Sequence, residues 1–233
     1  MKDKKVKKPC RRRNSSRRKP TISTPTVDRI SFLPDTILCH ILSFIPTKQA
    51  VATSILSSKW KSLWLSVLTL DFEDKTFKNY ISFQNFVFIA IFSRHTTLPI
   101  LSFRFKCSDN NSPDFDFFDN FVSFVMQRGI ENLNISTSTK LPSSILNCKT
   151  LKVLELESLK VEDFSHQMDL PLLETLHLNK VYFEHHEYLV KLLSSCPILE
   201  DLQLKCLYIP DFLVGKEKFE SLPSLKSLYV EFV

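Results

Sequence analysis
The residues best suited to catalysis or metal binding are six histidines (His40, His95, His166, His177, His185, His186) and six cysteines (Cys10, Cys39, Cys107, Cys148, Cys196, Cys206). A nucleophilic triad needs a Ser or Cys positioned beside a His that a carboxylate orients, and none of these histidines sits in a recognisable motif of that kind. No C-x-x-C pair or zinc spacing occurs, so the cysteines read as reduced core or surface thiols of an intracellular protein. Glu184-His-His-Glu187 has ligand chemistry, but adjacent residues on a helix point about 100° apart, so a solvated helix is the expectation. Asp114, Asp116 and Asp119 lack the glycine and the closing glutamate of a calcium loop. Only Gly129 and Gly215 are glycines, which excludes the glycine-rich dinucleotide and P-loop sites. No catalytic residue, metal or cofactor is therefore assigned.

Charge is the next chemically informative feature. The 233 residues carry 31 Lys and Arg against 25 Asp and Glu, yet residues 1–20 alone hold eleven of the basic side chains and one acidic one. The remainder is mildly acidic, which argues against a nucleic-acid-binding fold, since such a fold carries its basic face on the domain itself. Lys4, Lys5, Lys7, Lys8, Arg11, Arg12, Arg13, Arg17, Arg18 and Lys19 form one or two clusters of nuclear-import type. The alternatives for this tail are a nonspecific tether to RNA or to anionic lipid, or a solvated tail with no role. Residues 1–26 are too polar to bury a core, and a disordered basic tail is expected there. No secretory signal is visible, and the most apolar run, 86–92, is far shorter than the ~18–20 residues of a membrane helix. The expected location is the nucleus, the cytoplasm or both, with no membrane partner.

Stepping along the chain, Leu33, Ile37, Leu38, Ile41, Leu42 and Ile45 recur at helical offsets, and Pro46 stops that helix. Thr47 is placed to cap a second helix over 48–53, and Ser57 a third over 58–65 with Trp60, Leu63 and Trp64 on one side. Such a short unit has little core of its own, so a partner surface is expected. Further helices are predicted over 77–92 and 115–126, with a polar loop over 108–114.

The second half repeats. The pattern L-x-x-L-x-L, with aliphatic residues or Phe at its marked places, begins at Ile100, Ile130, Leu151, Leu173, Leu199 and Leu225. The intervals fall between 21 and 30 residues, close to the ~20–29 of leucine-rich repeats, each of which adds one strand to a curved parallel sheet. Alternation then turns the third, fifth and seventh places of each unit onto the concave face. On the last four units these outward residues are Val153, Glu155, Glu157; Thr175, His177, Asn179; Asp201, Gln203, Lys205; and Ser227, Tyr229, Glu231. A varied face over a constant leucine ladder is the pattern of a binding scaffold. Glu155, Glu157, His177, Asn179, Asp201, Gln203, Lys205, Tyr229 and Glu231 are the candidate substrate-binding residues.

Residues 28–64, from Asp28-Arg-Ile-Ser-Phe-Leu-Pro-Asp-Thr-Ile-Leu to Ser57-Ser-Lys-Trp-Lys-Ser-Leu-Trp64, resemble an F-box. Leu70-Asp-Phe72, Asn147-Cys-Lys-Thr-Leu-Lys-Val-Leu154 and Leu192-Leu-Ser-Ser-Cys-Pro-Ile-Leu-Glu-Asp-Leu202 resemble the plant F-box/leucine-rich-repeat proteins, many of which end in an FBD domain. The resemblance implies an α/β chain: a tail over 1–26, a three-helix F-box over 27–72 and a leucine-rich-repeat solenoid over 73–233. It also implies a non-catalytic substrate receptor of an SCF-type cullin–RING ubiquitin ligase. The F-box would engage an SKP-type adaptor, and through it a cullin; the repeats would hold a protein substrate. Carried over residue by residue, the adaptor-binding set is Leu33, Pro34, Ile37, Leu38, Ile41, Leu42, Ile45, Pro46, Val51, Leu56, Trp60 and Trp64, about half of them expected inside the chain's own packing. The third helix reads Ser57-Ser58-Lys59-Trp60 where the family often has Ser-Lys-Arg-Trp, a tolerable departure that removes one Arg. The sequence stops at Val233 directly after a repeat, so an exposed last strand is expected, with a shortened gene product or an incomplete gene model lacking the FBD domain as the two readings of that end. The alternative reading is a nuclear interaction scaffold, or a dominant-negative short form that binds adaptor without substrate.

Overall fold
The computed structural model describes residues 30–108, 111–162, 168–210 and 222–231. The chain divides between Leu33 and Pro34. Of the first unit, Ile30–Leu33 are described and form one turn, closed by the Leu33 N–H donating to the Ile30 carbonyl at 3.0 Å.

The second unit begins with three short helices. Helix α1 (Asp35–Leu42) starts behind Pro34, whose fixed φ suits a helix entrance, and Asp35 faces the positive end of the helix dipole. Leu38 and Leu42, four apart, are buried on one face. Helix α2 (Thr47–Ala52) follows Pro46 directly. Thr47 does not cap it. Its hydroxyl instead accepts the Asp71 N–H at 2.8 Å, a contact 24 residues away that outcompetes the local cap. Helix α3 is only Trp60–Leu63, with a 3-10 turn at Trp64–Ser66 behind it. Ser57 supplies no side-chain cap, and Lys59 occupies the position before the helix.

The rest is a seven-stranded parallel sheet with helices or turns between its strands. In chain order the elements are β1 (Thr69–Glu73), α4 (Tyr80–Phe92), β2 (Ser102–Lys106), α5 (Phe115–Met126), β3 (Asn132–Ser136), β4 (Val153–Glu157), β5 (Lys160–Val161), β6 (Thr175–Asn179), β7 (Tyr182–Phe183), α6 (His186–Ser194), β8 (Asp201–Lys205) and β9 (Ser227–Glu231). The sheet order is β1-β2-β3-β4-β6-β8-β9, every pair parallel and in register. Each of the six predicted repeats supplies one five-residue strand, beginning two residues after the first marked position. Val67, Leu70 and Phe72 fit the same offsets and make β1 a seventh unit. Strands β5 and β7 pair as a small second parallel sheet behind the first.

The core is a ladder of inward side chains that changes character along the sheet. Phe72, Phe103 and Phe105 fill it in β1 and β2, packed against Phe83 of α4 and Phe118 and Phe121 of α5. From β4 onward it is Leu154, Leu156, Leu176, Leu178, Leu202 and Leu204, all at most 2 % exposed. Helix α4 starts at Tyr80, three residues later than the hydrophobic pattern predicts. Asn79 is the reason: its side chain accepts the Ser82 N–H at 2.9 Å and fixes the helix start. Helix α5 runs as predicted and is capped by Asp114.

Two further devices hold the repeats. Ser158, Lys180 and Cys206, each directly after β4, β6 and β8, adopt left-handed backbone with φ of 62°, 52° and 51°. Each donates its N–H to the last carbonyl of the next strand, on Asn179, Lys205 and Glu231, at 2.8–3.0 Å. Arg94 and Arg128, behind α4 and α5, are buried. Arg94 donates to the carbonyls of Trp64 (3.1 Å) and Val67, and Arg128 to those of Leu98 (3.1 Å) and His95 (2.6 Å). Burial, with Arg128 nearby, pushes Arg94 down to about 10, so it stays charged at neutral pH.

Candidate functional site
Two surfaces gather the residues singled out by sequence. The first is apolar and lies on the short helices. Residues four apart share one face of a helix, and on α1 Ile37 and Ile41 share a face that is open to solvent, both more than 40 % exposed. Phe44, Ile55 and Leu56 are more exposed still. Pro34 is exposed, whereas Ile45, Pro46, Val51 and Trp64 are half-buried. Leu38, Leu42 and Trp60 are buried in the chain's own packing, so they support the surface from beneath rather than form it. Leu33, in the first unit, is half-buried. Phe44 and Ile55 were not singled out by sequence; their signal was bulk and hydrophobicity at positions flanking a helix end.

The second surface is the concave face of the sheet. Strands β4, β6 and β8 alternate half-buried and buried residues, which turns Glu155, Glu157, His177, Asn179, Asp201, Gln203 and Lys205 outward, as the repeat pattern predicts. In-register pairing lines them into rows: Glu155, His177, Gln203 and Tyr229 in one, Glu157, Asn179, Lys205 and Glu231 in the next. The rows continue across β3, β2 and β1 through Asn134, Arg104 and Asp71, and through Ser136, Lys106 and Glu73. Sequence reasoning left these earlier outward residues out because the first repeats use Phe and Ile in place of Leu.

Side chains on this face hold one another in place. The Glu157 carboxylate accepts from the Ser136 hydroxyl and the Asn179 amide, both at 2.9 Å. Glu155 accepts from the Asn134 amide and lies 3.5 Å from His177 Nδ1. His177 Nε2 meets Asp201 at 2.9 Å, and that hydrogen bond is the main reason the Asp201 carboxyl lies below its usual range. Arg104 pairs with Asp71 at 3.3 Å. Lys205 Nζ sits 5.0 Å from the centre of the Tyr229 ring. Of these groups, Arg104, Asn134, Glu155, Glu157, His177, Asn179 and Lys205, together with Lys106 and Gln203, line a shallow hollow of about 220 Å³. Strand β9 is the most open: Leu228 and Tyr229 are about half exposed.

The remaining candidates do not converge on a centre. His185 precedes α6 and packs edge-on against Tyr188, with ring centroids 5.4 Å apart. The five described cysteines carry free thiols, and burial raises Cys107 and Cys196 to about 12, which leaves them protonated and unreactive at neutral pH. No cluster of His, Cys, Asp and Glu among the described residues could hold a metal ion. No helix among them is long and apolar enough to cross a membrane. The basic cluster from Lys4 to Lys19 lies outside the described residues.

Comparison with known proteins agrees with this division. The F-box domain model matches residues 30–71, and the model for the LRR repeats of the FBD-associated F-box protein At5g56370 matches residues 119–230. The chain is 37% identical over 220 residues to the F-box/LRR-repeat protein At4g14103 of Arabidopsis thaliana, covering 86% of this chain and 55% of that protein. It is 38% identical over 189 residues to At4g14096, another F-box/LRR-repeat protein of that plant, covering 76% and 40%. It is 35% identical over 216 residues to the FBD-associated F-box protein At5g38590, also from Arabidopsis thaliana, covering 87% and 50%. The chain thus spans about half the length of the curated relatives it matches. No solved structure matches it. Helices with an exposed apolar face, followed by an in-register parallel sheet of leucine-rich units, are accounted for together: the chain belongs to the plant F-box/LRR-repeat proteins of the FBD-associated type.

Proposed function
We propose that the chain is a substrate receptor of an SCF-type cullin–RING ubiquitin ligase. Its F-box docks an SKP-type adaptor, and the concave face of its repeats holds a protein substrate. The observation that carries the adaptor half is the set of exposed apolar side chains on the matched F-box region, led by Ile37 and Ile41. Large aliphatic groups gathered on consecutive short helices are the kind of surface that a protein partner covers. The receptor performs no bond chemistry; by holding substrate near the ligase's transfer machinery it raises effective concentration.

The test is binding of purified full chain to a purified SKP-type adaptor, wild type beside an Ile37→Glu/Ile41→Glu variant. Both side chains already face solvent, so the variant keeps its fold, checked by circular dichroism. Wild-type binding weakened about 100-fold in the variant is the expected result, corresponding to two hot-spot contacts. A folded wild type that does not bind the adaptor, or a variant that binds as well, overturns the proposal.

A further inference from the structure
The concave face carries its charges in order along the sheet. Strand β2 presents Arg104 and Lys106, β3 presents neutral side chains, and β4 presents Glu155 and Glu157. Arg104 is satisfied by Asp71. Neither Lys106 nor Glu157 forms an ion pair among the described residues, although Glu73 stands beside Lys106 in register on β1; the Glu157 oxygens are held by a hydroxyl and an amide, which position the carboxylate without neutralising it. The two are aligned in one row, two strands apart. Two strand spacings are about 9.6 Å.

That distance discriminates between backbone conformations of a bound segment lying across the strands. In an extended β segment, side chains on one side recur every ~6.8 Å or ~13.6 Å, and neither matches. In a polyproline II segment, residues three apart share a side and are separated by ~9.3 Å, which does. We propose that the concave face takes a polyproline II segment of a protein partner, with an acidic residue against Lys106 and a basic residue three positions away against Glu157 and its neighbour Glu155. This rests on the reading of the repeats as the substrate-holding element.

The experiment uses the full chain and fluorescein-labelled twelve-residue peptides, read by fluorescence anisotropy. The core sequences are Glu-Pro-Pro-Arg and its reverse, with Glu-Pro-Pro-Glu, Arg-Pro-Pro-Arg, Gln-Pro-Pro-Gln and a Glu-Arg-Pro-Pro spacing control. The expected result is that one two-sign peptide binds at least about five-fold tighter than every control. Lys106→Gln and Glu157→Gln should each remove about five-fold of its affinity, the scale of one exposed charge pair. Gln at 157 still accepts a hydrogen bond, so equal melting temperatures will show that the face is intact. Equal binding of Arg-Pro-Pro-Arg and the two-sign peptides, equal binding of the spacing control, or no binding of any peptide by folded protein overturns this inference. Because the same preparation is first shown to bind the SKP-type adaptor, a failure here is separable from a failure of the ligase reading.

Discussion
Asp74 is a single carboxylate on which a loop depends. It is 6 % exposed, and it accepts from the Ser108 N–H at 3.0 Å, the Ser108 hydroxyl and the Asn111 amide at 2.9 Å. Burial alone raises its pKa; the donors outweigh burial, and the folded value lies below the usual one. A carboxyl with a depressed folded pKa contributes stability that is present above the unfolded value, about 3.9, and lost as pH falls through the folded value. Asp74→Asn should therefore cost about 2 kcal/mol at pH 7 and less at a pH below the folded value, measured by urea unfolding at both. The same loss at the two pH values would show that the charge is irrelevant. Nothing in the sequence announced this residue. Its partners lie 34 and 37 positions away, and a lone Asp before a lysine reads as surface.

At the scale of elements, local pattern was legible and long-range competition was not. Helix α5 and the strand of every leucine repeat follow directly from apolar spacing. Strand β1 was harder, because the nearest repeat is 33 residues on and the interval exceeds the usual period. Thr47 failed as a cap because a strand N–H reaches it first, a contact no local rule contains. The left-handed residues closing β4, β6 and β8 were equally invisible, since Ser, Lys and Cys carry no signal for positive φ. They do carry a cost. Lys180→Gly relieves left-handed strain of ~1–2 kcal/mol and loses ~0.5–1 kcal/mol through added freedom in the unfolded chain, so a net gain of up to about 1.5 kcal/mol is expected. Lys180→Val should be destabilising. Urea melts of both variants check this, and a Gly variant weaker than wild type would mean that the Lys180 side chain stabilises more than its backbone strains.

At the scale of the molecule, the F-box helices and the sheet are fastened together. Arg94, behind α4, donates to the carbonyls of Trp64 and Val67, and the Thr47 hydroxyl accepts the Asp71 N–H of β1. Arg94→Ala leaves two backbone acceptors without that donor and should cost about 1–3 kcal/mol. It should also speed amide hydrogen exchange over residues 60–70 more than over β6 and β8. Uniform acceleration along the chain, or none, would show that Arg94 does not couple the helices to the repeats.

The alternation along β4, β6 and β8 has a consequence for descent. Core and hollow are read from interleaved letters of the same five-residue words, so a change in one alphabet goes unseen by the other. Outward substitutions that break no side-chain hydrogen bond usually move stability by less than about 0.5 kcal/mol. Duplicate genes of such a chain can therefore diverge in what they grasp while inheriting the same folding problem, already solved.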